Sequence, residues 1–236
     1  MGLFGRKKRH EDEPVTSGET EGSGGTGVQD ADSSQSEGSA RAVPGGPYDI
    51  SERDASKGYI DLGPLKVPAI AGLQLQPQLG ADKKSIVRLN IVVGNSVLQV
   101  LVAAGPKSGG GWKKILEGTR ESFEKQGAEV DYNENGPWGE EILAKVPVKT
   151  SDGRAAIAPT RIVGMDGKRW VLRVDIIGAA VVEQKAFQAV ASVISNLVVE
   201  RDNEPRPPLS VIPMTIPDSI VQKPGEQDGT LKPVEN

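Results

Sequence analysis

The chain has 236 residues, a formal net charge of −4, 36% hydrophobic and only 4% aromatic residues, no cysteine and one histidine, His10. These counts exclude a disulfide framework, a thiolate nucleophile, a Ser-His-Asp or Cys-His constellation and a metal site built on His or Cys. No motif asks for a cofactor, and no catalytic residue is assigned.

The start, Leu3-Phe4-Gly5-Arg6-Lys7-Lys8-Arg9, has no apolar segment after it and is not a secretory signal. Arg6 stands where a myristoylation site at Gly2 would need Ser or Thr. The basic run offers at most weak peripheral contact with an anionic membrane. Residues 11–46 hold eight acidic residues against one basic residue, Arg41, and almost nothing apolar, the composition of a disordered tail. A second polar tail with several prolines is expected over 215–236. Residues 47–214 between them suffice for a single domain. Over 47–213 there are 21 Lys plus Arg and 20 Asp plus Glu, so the domain gives no electrostatic case for nucleic acid. The apolar runs fall well short of the ~20 residues of a membrane span, and a cytoplasmic protein is expected.

Strands are expected at Tyr59–Val67 and Leu73–Leu79. Next, two β-rich runs flank the tight-turn pair Gly94-Asn95, which sets a register in which paired residue numbers sum to 189. Leu89, Ile91 and Val87 then share one face with Leu98, Val100 and Val102, while Arg88, Asn90 and Gln99 share the other. Trp112, Ile115, Leu116, Thr119 and Phe123 recur at helical spacing, with Gly127 as the stop. Strands follow at Glu129–Tyr132 and Glu140–Val148. A second hairpin is expected to turn at Asp166-Gly167, its residue numbers summing to 333, so that Val163 meets Trp170. Its apolar face carries Met165, Leu172, Val174 and Ile176. The other face carries Arg169, Arg173 and Asp175, with Ile162 and Val171 as apolar exceptions. Phe187, Val190, Ala191 and Ile194 mark a second helix, which leads into Leu197-Val198-Val199.

The pattern predicts an α+β fold: an antiparallel, meander-like sheet with both helices packed on one face and the other face open. Arg88, Asn90, Gln99, Arg169, Arg173 and Asp175 would form a binding surface on that open face, since guanidinium groups hold carboxylates and phosphates by paired hydrogen bonds. Trp138 and Glu140, in a turn-rich segment, are candidate rim residues. Glu140 and Glu141 are adjacent in a strand and so diverge, a poor acid/base pair. An alternative anion site is the glycine loop Lys107-Ser108-Gly109-Gly110-Gly111 with Lys113, which opens the first helix but lacks phosphate-loop spacing. Pro205-Arg206-Pro207-Pro208 has the spacing of a polyproline ligand.

Several short tracts carry a resemblance: the basic Gly2-to-Lys8 opening, Gly46-Pro47-Tyr48-Asp49, Asp61-to-Pro68, Ala104-Gly105-Pro106-Lys107 leading to Trp112, Gly136-Pro137-Trp138-Gly139-Glu140, Gly164-to-Arg173 and Pro207-Pro208-Leu209. In this order they resemble an actinobacterial family of intracellular proteins defined only as a domain of unknown function, the one numbered 3710. Lys168 and Gly105 replace the Pro and Ala that the family favours. The resemblance implies a source and a location but no activity, cofactor or catalytic residue. The function expected is therefore a non-catalytic cytoplasmic interaction module whose partner is an unknown protein or a small anionic ligand. Two alternatives are a binder or enzyme of a phosphorylated small molecule at the glycine loop, and a peripheral, membrane-tethered accessory protein.

Overall fold

The computed structural model describes residues 45–150 and 153–215. The two expected tails and the basic N-terminal segment lie almost wholly outside the described residues. Strands β1 (Tyr48–Asp49), β2 (Tyr59–Asp61) and β3 (Leu65–Pro68) come first, then β4 (Gln74–Leu79), β5 (Ile86–Val93) and β6 (Ser96–Ala104). Helix α1 (Gly111–Lys125) precedes β7 (Glu129–Gly136), β8 (Gly139–Lys149), β9 (Ala155–Asp166) and β10 (Trp170–Gly178). Helix α2 (Gln184–Ser195) and β11 (Val198–Val199) are the last elements, and the segment after them returns to the large sheet, where Val211 bridges Ala103, Met214 bridges Ile86, and Ile212 and Met214 are buried.

Seven strands pair in the order β4-β5-β6-β10-β9-β8-β7, every pair antiparallel. The four remaining strands form a small mixed sheet, β1-β11-β3-β2, with β1 parallel to β11. The fold is therefore mostly β and has two sheets, which corrects the α+β meander expected from the sequence. The small sheet is built from strands of two to four residues drawn from both ends of the domain, too short to show a period of two.

Nor do both helices share a face. Leu89, Leu98, Val100, Leu172, Val174 and Ile176 pack with Phe187, Val190 and Ile194 of α2 and with Leu65, Val67 and Val199 of the small sheet. Side chains of opposite parity, Ala103, Ile142, Ala144, Ile162 and Val171, form a second core with Trp112 and Leu116 of α1. Because successive strand residues point to opposite faces, α1 and α2 lie on opposite sides of the large sheet. Ile162 and Val171, the two apolar exceptions in the sequence pattern, are the residues that α1 covers.

The first hairpin has the expected register: Leu89 pairs with Val100, Asn90 with Gln99 and Ile91 with Leu98. Val87 is not in its core, because a bulge opposite Gln78/Leu79 brings Ile86 inward instead. The second hairpin is corrected. Asp166 pairs with Val171 and Val163 with Val174, so paired numbers sum to 337 and Lys168-Arg169 form the tip. The reason is Trp170: its indole lies where a Cβ on Gly167 would be, 2.0 Å from Cε2, so Gly167 serves ring packing rather than the turn. Arg169 takes the left-handed conformation, φ 65°, that the tip requires.

Candidate functional site

Parity places Arg88 on β5, Gln99 on β6 and Arg173 and Asp175 on β10 on the same face as α1. Asp175 sits directly across from Gln99, and Gln99 across from Asn90. The helix is held over this face at its start. Gly111 is fully enclosed, since a Cβ there would meet Val171 Cγ2 at 2.5 Å, and the Trp112 amide donates to both oxygens of Asp166, at 3.1 and 3.2 Å. The Trp112 indole N–H donates to the Glu140 carbonyl at 2.8 Å. From there α1 runs across the sheet until Gly127, at φ 78°, ends it.

Under α1 the Arg173 guanidinium forks onto Asp175, Nε to Oδ1 at 2.7 Å and Nη2 to Oδ2 at 3.0 Å, while Nη1 donates to Thr119 Oγ1 at 3.0 Å. These side chains are only 19% and 8% exposed, so the helix encloses the pair. Beside it a cleft of about 540 Å³ opens between α1 and the sheet. Arg88 lines it and gives one N–H to Gln99 Oε1 at 3.1 Å. Lys114, also on the wall, makes no ion pair among the described residues. Three cations thus face one carboxylate, and Arg173 already takes both oxygens of that carboxylate. Among the described residues the three hydroxyls of the cleft meet no base: Thr160 donates to the Ala158 carbonyl at 3.4 Å, and the other two accept. Thr119 accepts from Arg173, and Ser122 accepts from the Gln126 side chain at 3.1 Å. Such a site can hold an anion by its guanidinium and ammonium donors.

Of the residues expected on one open face, four line this cleft: Arg88, Gln99, Arg173 and Asp175. Asn90 shares the face, with its Oδ1 buried and without a partner among the described residues. Arg169 does not join them. It is exposed at the hairpin tip, where its carbonyl accepts from the Gly105 amide. The glycine loop is also elsewhere: Lys107, Ser108, Gly109 and Gly110 are exposed, and the helix amide that would greet a phosphate is already given to Asp166. Lys113 is exposed on α1, one residue before the lysine that lines the cleft. The sequence reading left Lys114 out of the candidate sites and placed Thr119 and Phe123 on the helix stripe alone. Their helical spacing from Trp112 was the signal that could have placed them here.

A second cleft, of about 570 Å³, gathers all three tryptophans, Trp112, Trp138 and Trp170, with Tyr48 and the carboxylates of Glu52 and Asp166. The expected rim residues belong to this end of the molecule. Trp138 packs edge-on against Phe187, ring centres 6.2 Å apart, on the α2 side. Glu140 hydrogen-bonds the Tyr132 hydroxyl, which pushes the Tyr132 pKa up to about 12. Trp170 donates its indole N–H to Asp49 Oδ2 at 2.9 Å, and Ser51 gives its amide and its hydroxyl to Oδ1.

A family model described as "Protein of unknown function (DUF3710)" matches residues 46–223. The chain belongs to that family. No curated protein and no solved structure matches it. The DUF3710 span includes every residue of the α1 cleft and every residue of the tryptophan cleft except Gly45.

In this DUF3710 domain, burial works to raise the Asp49 pKa, but the bonds from Ser51 and Trp170 and the charge of Lys168 outweigh it. The carboxyl is held below its ordinary value of 3.8. A lowered carboxyl pKa adds stability that is present above the unfolded value and is lost as pH falls through the folded one. In urea unfolding, wild type is therefore expected to be more stable than Asp49→Asn by a constant margin above pH 5. That margin should shrink as pH drops below about 4. A margin independent of pH down to 2 would show that the Trp170–Asp49 contact carries no charge-linked stability.

Proposed function

We propose that this domain is a non-catalytic binding module that takes a small anionic ligand in the cleft between α1 and the large sheet. The observation that carries the reading is the charge of the cleft: Arg88, Lys114 and Arg173 surround a space in which Arg173 occupies Asp175, the sole carboxylate among the described residues that line it. Arg88 keeps most of its five donors for a ligand, and Lys114 keeps all three. The lack of a base beside any cleft hydroxyl supports binding over turnover. Among the described residues no helix is long and apolar enough to cross a membrane. The resemblance read from the sequence supports a cytoplasmic setting and an actinobacterial source.

The test is a thermal-shift panel of carboxylates and phosphates at millimolar concentration, run on wild type and on Arg88→Glu/Lys114→Glu. A ligand at 100 times its Kd adds about 2.7 kcal/mol, which is about 5–11 °C for a domain of this size. The expected result is a rise for at least one anion with wild type, absent in the variant, whose unliganded Tm stays within about 2 °C because surface charges are worth little. Equal rises in both proteins, or no rise across the panel, would overturn the reading.

A further inference from the structure

We infer that the ligand of the α1 cleft is an amphipathic anion, an aliphatic monocarboxylate whose head meets Arg88 and whose chain lies along α1 toward β8. The inference rests on reading the cleft as an anion site and adds the other half of the ligand. Strand order lays out a gradient. At one end β4 and β5 turn Gln76, Gln78, Arg88 and Asn90 to this face, and β6 adds Gln99. At the other end the lining is mostly aliphatic, Val146 and Val148 on β8 and Ala158 on β9 beside the single hydroxyl of Thr160, with Ile177 on β10 between. Helix α1 contributes Ile115 and Phe123, which pack with Val146 against the second core, and its polar Ser122 and Gln126 stand beside them. From β5 to β8 are four strand spacings, about 19 Å, a span that the reach of the Arg88 side chain and a medium-length alkyl chain cover together.

The apolar half is not sealed. Val148 is 37% exposed, a large aliphatic side chain left to water at the far end of a cleft whose near end is cationic. Covering that surface is favourable for any alkyl group that enters, but only a ligand with an anionic head also satisfies Arg88. A free phosphate or short dianion would use one half alone, and an alkylammonium would meet like charge. Opposite the sheet, Gly118 leaves the roof open, because a Cβ there meets nothing within 4 Å.

Calorimetric titration of wild type with butanoate, hexanoate, octanoate, decanoate and dodecanoate tests this, with decanol and decyltrimethylammonium as probes of the head group. Kd should fall about two- to four-fold per added methylene as the chain covers apolar surface, with neither probe binding detectably. Gly118→Leu fills the cleft with a better helix former and should abolish decanoate binding without lowering Tm. Val148→Glu should flatten the chain-length dependence. Equal affinity from butanoate to dodecanoate would overturn the alkyl half and leave the anion site standing. Binding of decanol or the ammonium as tight as decanoate would overturn both readings, whereas no carboxylate binding at all would overturn the amphipathic ligand and leave the anion site to the phosphates of the thermal-shift panel.

Discussion

Asp175→Ala is expected to destabilise the domain by about 3–5 kcal/mol, the cost of leaving a buried guanidinium without its carboxylate. The magnitude follows from where α1 lies. On an open sheet face an Arg173–Asp175 pair would be solvated and worth no more than about 1 kcal/mol. Beneath the helix, with Arg173 also bonded to Thr119, removing the carboxylate strands a charge that water reaches poorly. Urea unfolding measures the difference directly, and a loss near 0.5 kcal/mol would mean that the pair is not enclosed. Replacing both partners, Arg173→Met with Asp175→Leu, should recover most of the loss, because a buried ion pair is often no better than apolar side chains of similar volume. A second single variant at this position moves stability and affinity in opposite directions. Asp175→Asn removes the negative charge from the cleft, so anion affinity should rise while stability falls. A merely structural pair would move stability alone.

The parts of this arrangement legible in the sequence were those set by local periodicity. The tight turn at Gly94-Asn95 fixed a register, and that register put Arg88, Asn90 and Gln99 together as the structure does. The sequence could not show that β6 pairs with β10, because the partners Trp170 and Ala104 are brought together by the meander of β7 to β10 rather than by any turn. It also misread Asp166-Gly167. Asp-Gly is a strong turn signal, but here Asp166 holds the start of α1 and Gly167 makes room for Trp170. Both residues serve long-range contacts, so a local rule reads them wrongly, and Arg169 was put on the sheet face as a result. Ile162 and Val171 did carry the missing information. Two large aliphatics on a polar face need a cover, and the Trp112-to-Phe123 stripe was an amphipathic surface in need of a floor.

Gly164→Ala should cost about 3 kcal/mol, seen as a fall in Tm of about 6–12 °C, although it adds a single methyl group. A Cβ at Gly164 would lie 2.1 Å from Cε3 of the Trp112 ring, well inside contact distance. The ring cannot slide away, for its Nε1 is tied to the Glu140 carbonyl and its amide to Asp166, so the first turn of α1 must lift instead. The clash is with one side chain, which makes it separable from any backbone effect. Trp112→Leu alone loses core contacts and should cost about 3 kcal/mol. Added to it, Gly164→Ala should then cost almost nothing, a coupling of about 2–3 kcal/mol between the two positions. Strict additivity would show that Gly164 answers to something other than Trp112. The consequence reaches the cleft proposed to bind the anion, because α1 is its roof and the Trp112 contact fixes how high that roof stands. Gly164→Ala should therefore weaken anion binding even at a temperature where the variant is fully folded, whereas a destabilising change in the α2 core, such as Val190→Ala, should leave it intact.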